Sequence, residues 1–321
     1  MPRFNHLVYW LTALFIVVVW GIAMQRLGWW AMFEDTWPIS LTMVFGSFIA
    51  GATAEGGGAV AFPVFTKLFG IESSDAKIFA FMIQSFGMTM AGLVIYLRGV
   101  KVLWNVITTA LLSGIGGLII GELFLTFPEP YPKLIFSMIA GVFGAFLVIN
   151  RWWINDQPVE KLDMGHYKIS IPILLTGLIG GLISSVVGVG LDMMIFIVLT
   201  LLFGINEKVS TPTTVILMGL LSLAGFAWHF QVAGSITPEV WMYWMSCIPV
   251  VIFGAPLGAW FCDKIKRDHL IYLLLFLITI ELVTTIWIIP IDKTQFLILL
   301  ISFLISALIF YLLIRGRKQL L

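Results

Sequence analysis

The feature that most constrains this chain is a succession of apolar stretches, each long enough to cross a lipid bilayer. A hydrocarbon core about 30 Å thick needs about 20 mostly apolar residues per helix. Stretches 7–24, 77–97, 102–121, 131–150, 208–230, 239–261, 270–289 and 295–314 meet that rule. Regions 38–70 and 169–204 are too long for one straight span, and glycines interrupt each near its middle. Backbone polar groups in lipid must be satisfied within the protein, so the chain is expected to be an all-α polytopic membrane protein. Its charge content of 11% agrees, because a soluble domain carries about 25%. The first stretch exceeds a signal-peptide apolar run and is read as a true helix.

The composition also excludes several functions. A net charge of +1 lacks the basic footprint of a nucleic-acid binder. Cys247 and Cys262 read as packing residues rather than a disulfide framework. The four histidines have no paired ligand spacing, so neither a metal centre nor a cofactor is expected. No span carries a nucleophile with a base, which argues against an intramembrane enzyme. Trp29, Trp30, Trp37, Trp152, Trp153, Trp241 and Trp244 stand at segment ends and are expected to anchor at the headgroups.

Lysine and arginine positions set the expected orientation. If each interrupted region returns to the side it came from, 13 of the 18 basic residues share the side of the N-terminus. That bias places both termini in the cytoplasm of a plasma membrane, the inner membrane of a bacterium.

An internal repeat follows from self-comparison. Phe69-Gly70-Ile71 recurs as Phe203-Gly204-Ile205, and the segment 117–124 aligns with 254–261. Both halves run in the order interrupted region, then three helices. Under the hairpin topology they are inverted, each a glycine-broken helical hairpin plus three transmembrane helices, with one extra helix at each end of the chain. The expected units are 1–36 (N-terminal helix and loop), 37–150 (first repeat), 151–167 (cytoplasmic connection), 168–290 (second repeat) and 291–321 (C-terminal helix). Such inverted repeats are a transporter architecture.

The interruptions are the candidate binding regions. Gly56, Gly57 and Gly58 are consecutive, whereas close helix packing needs spaced glycines such as Gly114, Gly117, Gly121, Gly141 and Gly144. A new helix is expected to begin near Gly58, its first N–H groups offering donors to a small anion. Gly188 and Gly190 make a similar break in the second half.

These motifs resemble the TauE/SafE sulfite exporter family over about residues 40–258. Gly51, Gly56, Gly57, Gly58 and Pro63 carry the glycine-rich motif; the second copy keeps Gly188 and Gly190 but has Leu191-Asp192 and Ile197 where glycines and proline belong. The resemblance implies transport of sulfite, sulfonates or related small anions, and leaves import or export open. An anion channel is the alternative.

Buried acids are costly in lipid and become site candidates by default. Glu55 immediately precedes the first half-helix and is the expected proton-coupling residue. Asp192, in the first turn of the other, is read as coupling residue or helix cap. Glu281 has no motif around it, and a structural hydrogen bond is expected there. Thr53, Gln84 and Ser85 in the first half, and Ser185, Thr213 and Thr214 in the second, could line the substrate site or act as polar glue between helices. His229, near a helix end, is read as structural. The expected partners are a small anionic substrate and the bilayer, with a homodimer left open.

Overall fold

A computed structural model describes residues 6–54, 56–152, 159, 162 and 167–320. Apart from one isolated bridge, these residues form helices and their connections. α1 (His6–Leu27) leads through a short 3-10 turn into α2 (Phe33–Ala52). After an interruption, α3 (Gly58–Pro63) continues as one π-helical turn to Leu68. α4 (Ser73–Leu97), α5 (Trp104–Phe124) and α6 (Tyr131–Trp152) follow. The order then recurs: α7 (Tyr167–Val187), an interruption, and α8 (Leu191–Ile197) with a π turn to Leu202. Next come α9 (Glu207–Ala227), α10 (Pro238–Lys264), α11 (Arg267–Ile288) and α12 (Lys293–Leu320).

Eight helices among the described residues are long and apolar enough to cross a membrane, namely α1, α4 to α7 and α9 to α11. The segments 58–68 and 191–202 extend only about 16 to 18 Å at 1.5 Å per residue, too short to cross. They are half-helices. Proline explains neither π turn, because Ile197 stands where the first copy has Pro63 and the turn forms all the same.

The half-helices are packed inside the protein, where a break in helical bonding is tolerable at membrane depth. Phe62 of α3 stacks on Phe136 of α6, and Phe65 of the first π turn on Phe79 of α4. α8 sits in a second apolar cluster with Phe143 and Phe146 of α6 and Ile278 of α11. One face of α1 and of α11, and most of the described α12, presents large apolar side chains outward, with Phe15 and Trp287 strongly exposed, as on a lipid-facing surface.

Two glycine seams hold the halves together: α5 packs on α7, and α10 packs on α2. A Cβ on Gly117 would run into the Leu178 carbonyl, and one on Gly258 into that of Phe48. Likewise Gly181 meets the carbonyl of Gly114, and Gly51 that of Ala255. The contacts therefore pair Gly117 with Gly258, one helical turn from the Gly254 of the sequence alignment. At the next level the small residue changes sides, since Gly177 of α7 accommodates Ser113 of α5, whereas Gly254 of α10 accommodates Ser47 of α2.

Gly114, Gly121 and Gly144 also fill close helix contacts. Cys247 and Cys262 are buried and are not joined in a disulfide. One tryptophan departs from its expected role: Trp244 is buried and donates from Nε1 to the Met82 carbonyl at 2.9 Å, so it pins α10 to α4. Trp30 and Trp37 are exposed at segment ends, whereas Trp153 lies outside the described residues. Within the 151–167 connection, Val159 is tied to the turn after α8 by hydrogen bonds with Gly204 and Asn206.

Candidate functional site

The two interruptions meet at Gln84, near the middle of α4. Its Nε2 donates to the Ala80 carbonyl of its own helix at 2.9 Å and to the Gly188 carbonyl of the second break at 3.1 Å. Both partners are acceptors only, so they fix which way the amide faces. Gln84 Oε1 therefore points away from them, buried and without a hydrogen-bond partner. It faces the first break. Gly56 there has φ 70, a conformation L side chains rarely adopt. A Cβ on Gly56 would lie 2.8 Å from Gln84 Oε1 and 2.7 Å from Asp192 Oδ2.

Asp192 divides its two oxygens between tasks. Oδ1 accepts from the N–H of Met193 at 3.0 Å and of Gly190 at 3.3 Å, and Ser184 Oγ accepts from Leu191 N–H at 3.2 Å. Donors that the sequence offered to an anion at the start of α8 are thus taken by the protein's own oxygens. Capping is one of the two roles read for this residue. Oδ2 is buried with no partner. The N-cap of α3 is Gly57, which has no side chain to cap it, and its carbonyl accepts from Val60 and Ala61.

The other sequence candidates scatter. Thr53 is buried beside the first break, with its hydroxyl donating to the Ile49 carbonyl. Gly57 has an ordinary helical φ of −68, and a Cβ there would find Ala50 and Gln84 at 3.4 and 3.5 Å. The demanding glycine is Gly56. Gly58 opens α3, and Gly188 packs so close to α4 that a Cβ would lie 2.8 Å from the Lys77 carbonyl. Gly190, with φ 137, precedes α8 directly. Ser85 and Thr214 bond carbonyls of their own helices, Met82 and Thr211. Thr213 Oγ1 accepts from Leu103 N–H at 3.1 Å and so ties α9 to the turn before α5. Ser185 donates to Leu182 and packs under Gly121. Glu55 lies outside the described residues.

A family model described as Sulfite exporter TauE/SafE matches residues 39–284, from within α2 to within α11. The chain belongs to the TauE/SafE family. No curated protein and no solved structure matches it. The TauE/SafE match takes in both interruptions, all the residues around Gln84 and both glycine seams, and leaves α1 and α12 outside.

Two ionic clusters of this TauE/SafE protein escaped the sequence reading. Lys67, at the end of the first half-helix, donates to Glu281 Oε1 at 2.5 Å and to Thr285 Oγ1 at 2.7 Å, while Ser137 donates to the same carboxylate oxygen at 2.6 Å. The hydrogen bond expected of Glu281 is thus part of a buried ion pair. The second cluster joins Lys77 of α4 to Glu122 of α5 at 2.9 and 3.0 Å, with His229 Nε2 3.3 Å from the same carboxylate. The other nitrogen of His229 contacts Ser235 Oγ at 2.8 Å, a structural anchorage at its helix end. A cavity of about 350 Å³ opens here, lined by Glu72, Ser73, Lys77, Glu122, Glu129 and Ser185 among others. The one signal available was charge itself, lysines and acids at the ends of or within apolar stretches with no partner nearby in sequence.

Proposed function

We propose that the protein is a secondary transporter that exports sulfite or a closely related sulfur oxyanion across the plasma membrane. The observation that carries this reading is the meeting of two glycine breaks around one glutamine, inside a chain of the sulfite exporter family. The anion binds at the first break, along Gly56 to Gly58, where the N-cap of α3 is Gly57, a residue with no side chain to cap it. The start of α8 is already closed by Asp192 and Ser184.

On this reading α2 to α6 and α7 to α11 are inverted repeats, both termini are cytoplasmic, and access alternates as one repeat moves against the other. The exchanged seam contacts, α5 on α7 and α10 on α2, support the repeat relation. Movement of the anion is linked to a cation gradient, which the sequence reading takes to be one of protons. The alternative of an open anion channel has no observation in its favour.

The test is counterflow in liposomes containing the purified protein. Radiolabelled sulfite should accumulate transiently when the vesicles are preloaded with unlabelled sulfite, and should saturate with concentration. Linear, non-saturating flux would make the protein a channel. No sulfite flux, with robust counterflow of a carboxylate instead, would remove the sulfur anion from the proposal.

A further inference from the structure

We infer that Asp192 Oδ2 and Gln84 Oε1 together hold a monovalent cation, a proton or a sodium ion, between the two breaks. Both residues are almost fully buried, at 0% and 2% exposure, and among the described residues both oxygens are without a hydrogen-bond partner. They converge on one place, 2.7 and 2.8 Å from the point above Gly56 where other residues would carry a Cβ. Neither can turn donor by reorienting: both Nε2 bonds of Gln84 go to carbonyls, and Asp192 Oδ1 is committed to two backbone N–H groups. Two buried acceptors aimed at one point are unfavourable unless something positive stands between them. A proton on Asp192 or a small cation shared by the two oxygens meets that need.

Among the described residues no charged side chain bonds either oxygen; Glu55, which precedes Gly56, lies outside them. The charged residues described on α4, α6, α7 and α9 stand in end turns, namely Asp75 and Lys77, Lys133, Lys168, and Glu207 and Lys208, while α11 carries Glu281 in its second half. His229 follows α9 in its π turn, and Lys67 follows α3 and is held by Glu281. A cavity also lies close to the second break. The 350 Å³ cavity is lined by three carboxylates and one lysine, and its wall residues Ser185 and Val186 closely precede the break at Gly188 in the chain. An acidic antechamber gathers cations.

The site deepens the transport reading and rests on it only for coupling. A cation on Asp192 removes the repulsion between that carboxylate and an anion at the first break, so each ligand raises the affinity for the other. Asp192, rather than Glu55 alone, then becomes the residue through which an ion gradient acts.

The experiment is thermal unfolding of the full-length protein in detergent, in two arms. One replaces choline chloride by sodium chloride at fixed pH; the other steps the pH in choline, and both are repeated with sulfite present. Wild type should gain several degrees in one arm, and sulfite should enlarge that gain. Asp192→Asn should lose the gain and Gln84→Met should shrink it, in samples that remain monodisperse; if Asp192→Asn does not purify, Gln84→Met decides. The responding arm names the ion. A wild type indifferent to both arms, or variants that respond as wild type does, would overturn the site. A cation shift without any sulfite counterflow would leave the site standing and sink the transport reading instead.

Discussion

Lys67 and Glu281 lie 2.5 Å apart across the interface between the first half-helix and α11, both almost fully buried. A buried pair of this kind adds little net stability, because desolvation offsets attraction, but losing one partner strands the other. Lys67→Met or Glu281→Leu alone should therefore cost about 3–5 kcal/mol, read as a large fall in unfolding temperature in detergent. The double variant Lys67→Met/Glu281→Leu should recover most of it. A double variant no better than either single one would show that the cluster, with Ser137 and Thr285, acts through its hydroxyls rather than its charges.

Gly56 and Gly57 should behave differently although they are neighbours. Gly56→Ala forces an L residue into φ 70 and pushes a methyl between Asp192 Oδ2 and Gln84 Oε1, so sulfite counterflow should vanish. Gly57→Ala meets only ordinary contacts at 3.4 Å or more and should keep most of the flux. Equal loss in both would mean that the whole glycine run, not one backbone conformation, makes the site.

Glu129, in the connection between α5 and α6, gives a pH signature. Burial would raise its pKa, but hydrogen bonding from Ser73 and the Lys133 ammonium outweigh that and hold it below the usual carboxylate range. A depressed folded-state pKa contributes stability above the unfolded value, near 4.3, and loses it as pH falls through the folded one. The unfolding-temperature gap between wild type and Glu129→Gln should be full at pH 7 and close progressively below about pH 4.3. A gap that widens on acidification would reverse the sign of this contribution.

Orientation can be tested by labelling in a background lacking Cys247 and Cys262. A cysteine placed at Lys266, between α10 and α11, should react with an impermeant reagent only from the cytoplasmic side; one at Phe127, between α5 and α6, only from outside. Reaction of both from the same face would break the inverted arrangement.

What the sequence disclosed were features that a bilayer forces on every stretch separately. Span lengths and the starts of the half-helices at Gly58 and Leu191 follow from apolar run length and glycine placement. What it hid were meetings between distant residues. Gln84 reaches Gly188 across 104 positions and Lys67 reaches Glu281 across 214, and no periodicity within a helix says which helices touch. The repeat register slipped for a related reason, since Gly254 and Gly258 are one turn apart and either matches Gly117 by composition. Only what they meet, the Ser47 side chain for Gly254 and the Phe48 carbonyl for Gly258, tells them apart. Trp244 was misplaced because an indole near a segment end looks the same whether it faces headgroups or a carbonyl on α4.

The exchange of glycine and serine between the two seams has a consequence for ancestry. On the duplication reading, Ser113 corresponds to Gly254 and Gly177 to Ser47, and each seam now holds one hydroxymethyl group facing one bare backbone. Two copies of the first half, docked on each other in the same way, would bring Ser113 against Ser47 with no glycine to receive either. Two copies of the second half would bring glycine against glycine and leave a gap. The halves have become unlike partners that fit each other and no longer fit themselves, so an ancestor that assembled from identical halves cannot be recovered by cutting this chain in two.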